Sequence, residues 1–315
     1  LGEAAIATHI TGETFTGTRK NLRSCADYCV GRDIADTKKI SAQLHEKYSA
    51  NPAVIAAVET ALLDARARHK RVPLWRLFGT VARPLQSDIT IVLADLKETR
   101  SSIKHYYARG FRAFKVKIGH DLERDIKRLV MLKDMAPRCR IIVDANQGYS
   151  AAEMVRFVSE LKQHKVRIDL LEQPVPREDW EGLKEIGRVT RVPVCADESA
   201  RTLNDARRLI KNKIVPAINI KIMKGGLLEA EKIARLCRKN NIKLMIGGMM
   251  ESSIAMTASA HLAAGLGGFD DIDLDTPFFI HGAVERHPYL SGSGRYDLSK
   301  VPAGIGITKD QLYDP

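Results

Sequence analysis

The sequence predicts an α/β fold, a modified (β/α)8 barrel of the TIM type with an α+β capping domain, and three observations point to it. From residue 88 onward, short β-branched apolar runs recur at intervals of roughly 25 residues, the length of one strand-plus-helix unit. Amphipathic stretches with apolar residues three and four apart fill the intervals. The chain before residue 86 does not follow this period.

The runs are Ile89 to Ala94, Ala113 to Ile118, Arg140 to Ala145, Ile168 to Glu172, Val192 to Asp197, Ala217 to Ile222, Lys243 to Gly247 and Asp271 to Asp275. Between them, Leu122, Ile126, Leu129 and Val130, and then Met154, Phe157, Val158 and Leu161, mark apolar faces of crossover helices. Ser150 followed by Glu153 spells a capping box at the start of the second. Eight such units suit a closed barrel, although a doubly wound open sheet obeys the same period.

Before the barrel, Asn51-Pro52 opens a helix whose expected inward face is Val54, Val58, Ala61, Leu62 and Ala65. The expected organisation is a capping domain from residues 1–85 joined by residues 278–315, and a catalytic barrel from 86–277. The opening Gly2-Glu3-Ala4 follows Leu1 with no leader in front of it, so the chain reads as lacking its first strands, truncated at the N-terminus.

Composition narrows the function classes. No apolar run approaches the roughly 20 residues that span a bilayer, so no membrane partner is expected. Cys25, Cys29, Cys139, Cys195 and Cys237 are odd in number and scattered, which suits reduced thiols and a cytoplasmic location. The net charge of +12 raises the alternative of a non-catalytic, polyanion-binding barrel. Against it, Lys127, Arg128, Lys133, Arg207, Arg208 and Lys211 interleave with acids and lack interspersed aromatics. These residues read as solvated faces, and no nucleic acid is expected.

The chemistry lies where the apolar runs end. Asp144, Glu172 and Asp197 close three consecutive runs, and carboxyl ends of barrel strands converge on one face. Three like charges in one volume are costly unless a cation neutralises them, and an all-oxygen site suits Mg²⁺. Lys115 and Lys117, one residue apart, share a face of the second run, while Phe114, Val116 and Ile118 take the other. Lys221, between Ile220 and Ile222, repeats the pattern on the sixth run, across the ring from the second. Lys224 is its rival, but its place beside Gly225-Gly226 reads as loop. A metal flanked by lysines suggests removal of a proton next to a carboxylate, and two opposed bases permit inversion of a stereocentre.

Six strings carry a resemblance in order and spacing: Phe114-Lys-Val-Lys117-Ile-Gly119, Val143-Asp-Ala-Asn146-Gln, Glu172-Gln-Pro-Val175, Ala196-Asp-Glu-Ser199, Asn219-Ile-Lys221 with Lys224-Gly-Gly226, and Ile246-Gly-Gly-Met-Met-Glu251-Ser. Together they resemble the muconate-lactonizing subgroup of the enolase superfamily over nearly the whole chain. The resemblance implies Mg²⁺ held by Asp144, Glu172 and Asp197, with Asn146 and Glu198 supporting them. It implies an acid/base pair of Lys117 and Lys221 acting through an enediolate, and Lys115 as a helper at the substrate carboxylate. The seventh run, Ile246-Gly-Gly248, lacks the histidine base of mandelate-racemase-like members, and His261 falls well inside the next helix. Asp273-Leu-Asp275-Thr-Pro resembles the Asp-x-Asp signature with which dipeptide epimerases bind the free α-ammonium, Asp271 with Asp273 being the second register. The expected activity is therefore epimerisation of a dipeptide at its C-terminal residue, in a protein that can form a homo-oligomer. The alternatives are a muconate-type cycloisomerase, an N-succinylamino acid racemase or an o-succinylbenzoate synthase.

Overall fold

A computed structural model describes residues 1–119 and 121–311. In chain order, helices α1 (Thr8–Thr11), α2 (Phe15–Cys29), α3 (Thr37–Lys47) and α4 (Pro52–His69) precede a short strand β1 (Leu85–Gln86). Strand and helix then alternate: β2 (Ile89–Ile91), α5 (Leu96–Ala108), β3 (Ala113–Lys117), α6 (Leu122–Met135), β4 (Arg140–Asp144), α7 (Ala151–Gln163), β5 (Leu170–Glu172) and α8 (Trp180–Thr190). They continue through β6 (Val194–Ala196), α9 (Leu203–Lys211), β7 (Ala217–Lys221), α10 (Gly226–Lys239), β8 (Lys243–Gly247), α11 (Ser253–Leu266) and β9 (Asp271–Ile272). Helix α12 (Ala283–Arg286) and β10 (Arg295–Tyr296) follow.

Strands β2 to β9 form one eight-stranded sheet in sequence order, with parallel pairing and crossover helices, which is the strand arrangement of the TIM-type fold. Two compact units divide the chain: Leu1–Gln86 with Ile220–Leu236 and Ile246–Pro315, and Ser87–Asn219 with Cys237–Met245. In the second unit, Ile142, Leu170, Cys195, Ala217 and Met245 from successive strands form a buried cluster. Layers of side chains from neighbouring strands fill the interior of such a sheet.

In the first unit, Cys25, Ile40, Leu44, Tyr48, Val54 and Ile55 form the core among α2, α3 and α4. The expected face of α4 is corrected at Ala65, which is exposed; Val54 is buried, Val58 and Leu62 are half-buried and pack against this core, and Ala61 is half-buried, while the buried set also includes Thr60, Leu63 and Ala67. The face that packs follows the three-and-four spacing from Thr60, a threonine that apolarity alone passes over.

The capping box at α7 forms as spelled, with Ser150 Oγ accepting from the Glu153 N–H and Glu153 Oε2 accepting from the Ser150 N–H at 2.8 Å. The eighth run is shorter than its apolar pattern. Asp273 N–H still donates to Ile246 O at 2.8 Å, but Asp275 starts a 3-10 turn, Thr276–Phe279, because Pro277 has no N–H for a further ladder bond. The antiparallel pair β1 and β10 has no counterpart in the sequence reading.

His261 is packed, not catalytic in aspect. Its Nδ1 accepts from the Trp75 N–H at 3.1 Å and its Nε2 lies 3.0 Å from Ile305 O, so the neutral ring carries its proton on Nε2. His287 lies between the Tyr289 N–H at 3.1 Å and Thr257 Oγ1 at 2.8 Å. Burial pushes each imidazole down to about 4. Between pH 4 and 6.5 the unfolded chain therefore binds more protons at both rings, so their contribution is full above pH 6.5 and is lost as pH falls toward 4. Each ring is worth about 3 kcal/mol over that span. Glu251, which burial pushes up to about 8, acts with the opposite sign, so the net slope of the three groups is about one proton. Urea unfolding is expected to show stability falling by about 2 kcal/mol from pH 6.5 to 4.5, and His261→Asn should flatten the slope.

Candidate active site

Strand β3 brings Lys115 and Lys117 onto one face and buries Phe114 and Val116 on the other. Parallel register then sets Lys117 beside Asp144, and Asp144 beside Glu172. Lys115, 3% exposed, places Nζ 3.1 Å from Asp144 Oδ2 and 2.9 Å from Glu172 Oε2. Lys117 Nζ stands 3.2 Å from the same Asp144 oxygen and donates to Asn146 Oδ1 at 2.6 Å. Two ammonium groups thus share one carboxylate oxygen, Asp144 Oδ2, and a second, Glu172 Oε2, faces Lys115. Lys117 is the more accessible of the two, with a side chain 36% exposed.

The turn after β4 is left-handed at Asn146 (φ 41°) and Gln147 (φ 68°), unusual for residues other than glycine. That conformation returns the Asn146 N–H to Asp144 Oδ1 at 3.1 Å and lets its Nδ2 donate to Glu198 Oε1 at 3.5 Å. After β5, Gln173 (φ 33°) does similar work, its Oε1 accepting from the N–H of Asp197 at 2.9 Å and of Ser199 at 3.1 Å. Asn219 Nδ2 donates to Glu172 Oε1 at 2.8 Å. Gln173 and Asn219 stand in the recognised strings but had no assigned task in the sequence reading. Their positions on the same strand ends were the available signal.

By donor chemistry the set suits a divalent cation. Asp144, Glu172 and Asp197 are all buried and offer oxygen only, at the ends of adjacent strands. With these three and Glu198 ionised, the ammonium groups of Lys115 and Lys117 leave two negative charges over, which one Mg²⁺ balances.

Arg128 corrects the reading that placed it on a solvated face: it is 1% exposed, on the packed side of α6 with Asp125, Leu129 and Leu132. Its guanidinium donates to Thr99 Oγ1 (3.1 Å), Lys117 O (2.7 Å), Asp125 Oδ1 (3.1 Å), Ile91 O (3.4 Å) and Val92 O (2.5 Å). Asp125 Oδ2 in turn accepts from the Gly119 N–H at 2.9 Å and Tyr149 Oη at 3.1 Å. The pair pins the backbone on both sides of Ile118 and so fixes where Lys117 leaves the strand. Arg128→Met is expected to lower unfolding free energy by about 3–5 kcal/mol, since it strands a buried carboxylate and several carbonyls. Chemical denaturation measures this, and a change below about 1 kcal/mol would contradict the clamp.

Lys221, Asp273 and Asp275 belong to the other unit, and all are buried. Around Lys221 and Asp273 stands Glu251, whose carboxyl is raised by burial and by the charges of Glu3 and Asp273, against the Met249 N–H and Lys221, which lower it. At neutral pH it carries its proton. Glu3 holds the start of α11, accepting from the N–H groups of Ser252 (2.7 Å) and Ala255 (3.1 Å). The segment bearing the two aspartates is fastened by Tyr296 Oη, which donates to Leu274 O at 2.8 Å, and by Thr276 Oγ1, which donates to Met249 O at 3.0 Å.

The chain beyond Lys221 is also anchored. Lys224 lies in a 3-10 turn, as its neighbouring glycines suggested, and Glu59 of α4 accepts from the Leu228 N–H at 2.9 Å and from Ser41 Oγ. Gly226 (φ +87°) is required there, because a Cβ would fall 2.3 Å from Glu59 Oε2. Hydrogen bonding to Glu59 raises the pKa of His45, whose Nε2 lies 3.3 Å from Glu59 Oε1.

Two family descriptions match the sequence: "Mandelate racemase / muconate lactonizing enzyme, N-terminal domain" over residues 2–79 and "Enolase C-terminal domain-like" over residues 98–312. The hydrophobic dipeptide epimerase of Citrifermentans bemidjiense is 46% identical over 314 residues, covering 97% of this chain and 85% of its own. The aromatic dipeptide epimerase of Herpetosiphon aurantiacus is 39% identical, covering 98% of this chain and 86% of its own. Among solved structures, the dipeptide epimerase of Enterococcus faecalis V583 complexed with Mg and the dipeptide L-Leu-L-Tyr superposes with a TM-score of 0.90 at 31% identity, over 98% of this chain and 87% of its own.

Proposed function

The chain belongs to the mandelate racemase / muconate lactonizing enzyme family of the enolase superfamily, and from that membership we propose that it is a Mg²⁺-dependent dipeptide epimerase inverting Cα of the C-terminal residue. The observation that carries the reading is the pair of β3 lysines sharing Asp144, with Glu172 beside them, an arrangement suited to proton transfer next to a carboxylate.

Asp144, Glu172 and Asp197 would hold Mg²⁺, which would supply charge to favour the enediolate form of the substrate. Lys115 hydrogen-bonds the substrate carboxylate. Lys117 removes the Cα proton from one face and Lys221 delivers a proton to the other, with the roles exchanged in the reverse direction. Asn146, at 2.6 Å from Lys117 Nζ, holds that amine in place between turnovers. Asp273 and Asp275 accept hydrogen bonds from the substrate α-ammonium. The domain reading that goes with this places the catalytic barrel at 86–277 and a cap at 1–85 and 278–315.

The names of the two most similar relatives described above direct the substrate proposal toward dipeptides with apolar or aromatic side chains. Deuterium incorporation at Cα from D₂O, across a panel of dipeptides and N-acylated amino acids, tests it. Apolar L,L-dipeptides should exchange fastest, and N-succinyl amino acids at least about 10²-fold slower, because they lack the α-ammonium that Asp273 and Asp275 are proposed to hold. Exchange into N-acylated amino acids alone would overturn the dipeptide assignment in favour of the racemase or synthase alternatives.

A further inference from the structure

At the opposite ends of the strands that carry Asp144 and Glu172, a cavity of about 760 Å³ opens where β4, β5, β6 and β8 begin. Its ionisable lining consists of Arg140, Lys162, Lys165, Arg167, Arg191 and Lys243 against a single acid, Asp169. That acid is engaged, accepting from the Ile141 N–H at 2.9 Å and lying 3.5 Å from Arg167 Nε. Across a five-residue strand such as β4, the cavity stands about 13 Å from the candidate catalytic end.

Cations at helix C-termini are commonplace because they offset the macrodipole, and α7 and α8 both end here. Two helix ends present about one negative charge in total. Asp169 adds one more, so six cations exceed what compensation requires by about four charges. Lys162 is committed to the fold through its bond to Thr190 O at 2.7 Å. Among the described residues, Lys165, Arg191 and Lys243 form no ion pair.

Lys165 (φ 57°) and Arg191 (φ 63°) occupy left-handed positions after the two helices, where glycine or asparagine is the unstrained choice. Both side chains line the cavity, one after each helix. No aromatic side chain lines the cavity, so it offers no platform for nucleobase stacking.

We propose that this cavity binds a small multivalent oxyanion of the phosphate class. Arginine and lysine groups around a concavity with one neutralised acid match polyphosphate oxygens better than a single carboxylate, whose charge would leave most of the cations uncompensated.

Titration calorimetry of the full chain with sodium tripolyphosphate, pyrophosphate and phosphate at low ionic strength tests the proposal. Saturable one-to-one binding is expected, tightening with anion charge. Lys165→Asn with Arg191→Asn suits both left-handed positions, so folding should be kept and a melting curve will show it. This double variant should weaken tripolyphosphate binding by about tenfold. A control that removes equal charge on α2, Arg19→Asn with Lys20→Asn, should leave binding unchanged. Equal weakening by both pairs, the absence of saturable binding by the unaltered chain, or tighter binding of a single-stranded oligonucleotide than of tripolyphosphate would each overturn the site.

Discussion

Glu172→Gln is expected to lower epimerisation by about 10³-fold or more and to weaken Mg²⁺ binding, with little change in fold. Glu172 is fully buried and bridges two partners, Lys115 Nζ at 2.9 Å and Asn219 Nδ2 at 2.8 Å. The amide keeps the shape but removes one of the negative charges that balance the ion, and it turns an amide donor toward either Lys115 or Asn219. Both effects fall on the same oxygen set. Calorimetry with Mg²⁺ and turnover of an apolar dipeptide measure the two losses together, and circular dichroism verifies the fold. Wild-type turnover in this variant, insensitive to chelator, would remove the metal from the account.

The other large effect is expected at the lysines. Lys117→Ala and Lys221→Ala should each reduce epimerisation by at least about 10³-fold, because inversion requires a proton to leave from one face and another to arrive on the opposite one. Lys115→Ala should also be damaging, for a different reason. Lys115 touches both Asp144 and Glu172, so its removal takes away a counter-charge that these two buried carboxylates share. Its loss should weaken substrate binding as well as turnover, whereas the effect of Lys117→Ala should fall chiefly on kcat.

The parts of this site that were legible in the sequence share a physical property. Asp144, Glu172, Lys115 and Lys117 are charges in otherwise apolar runs, and charge in a strand interior is conspicuous because it is costly to bury. Strand periodicity and register then determine which of them meet, so their contacts could be anticipated without coordinates. Arg128 was not legible. On a helix, a buried arginine and a surface arginine have the same spelling, and only the carbonyls of Ile91, Val92 and Lys117 reveal that this one faces inward. Gln173 owes its position to a left-handed backbone that no glutamine propensity favours, whereas asparagine tolerates that conformation at Asn146. Asp275 departs from its run because the following Thr-Pro turns the chain. The eight-unit repeat was readable because each unit must bury its own apolar strand, while the short β1 and β10 pair lacks a hydrophobic pattern of its own.

Deuterium exchange into each epimer of one apolar dipeptide, followed by proton NMR in D₂O with Lys117→Ala and Lys221→Ala, tests the two-base account most directly. The expected result is complementary: one variant exchanges Cα of the L epimer alone, the other that of the D epimer alone, and neither interconverts them. If either variant exchanged both epimers, or if loss of one lysine left inversion intact, proton transfer from two sides by Lys117 and Lys221 would be contradicted.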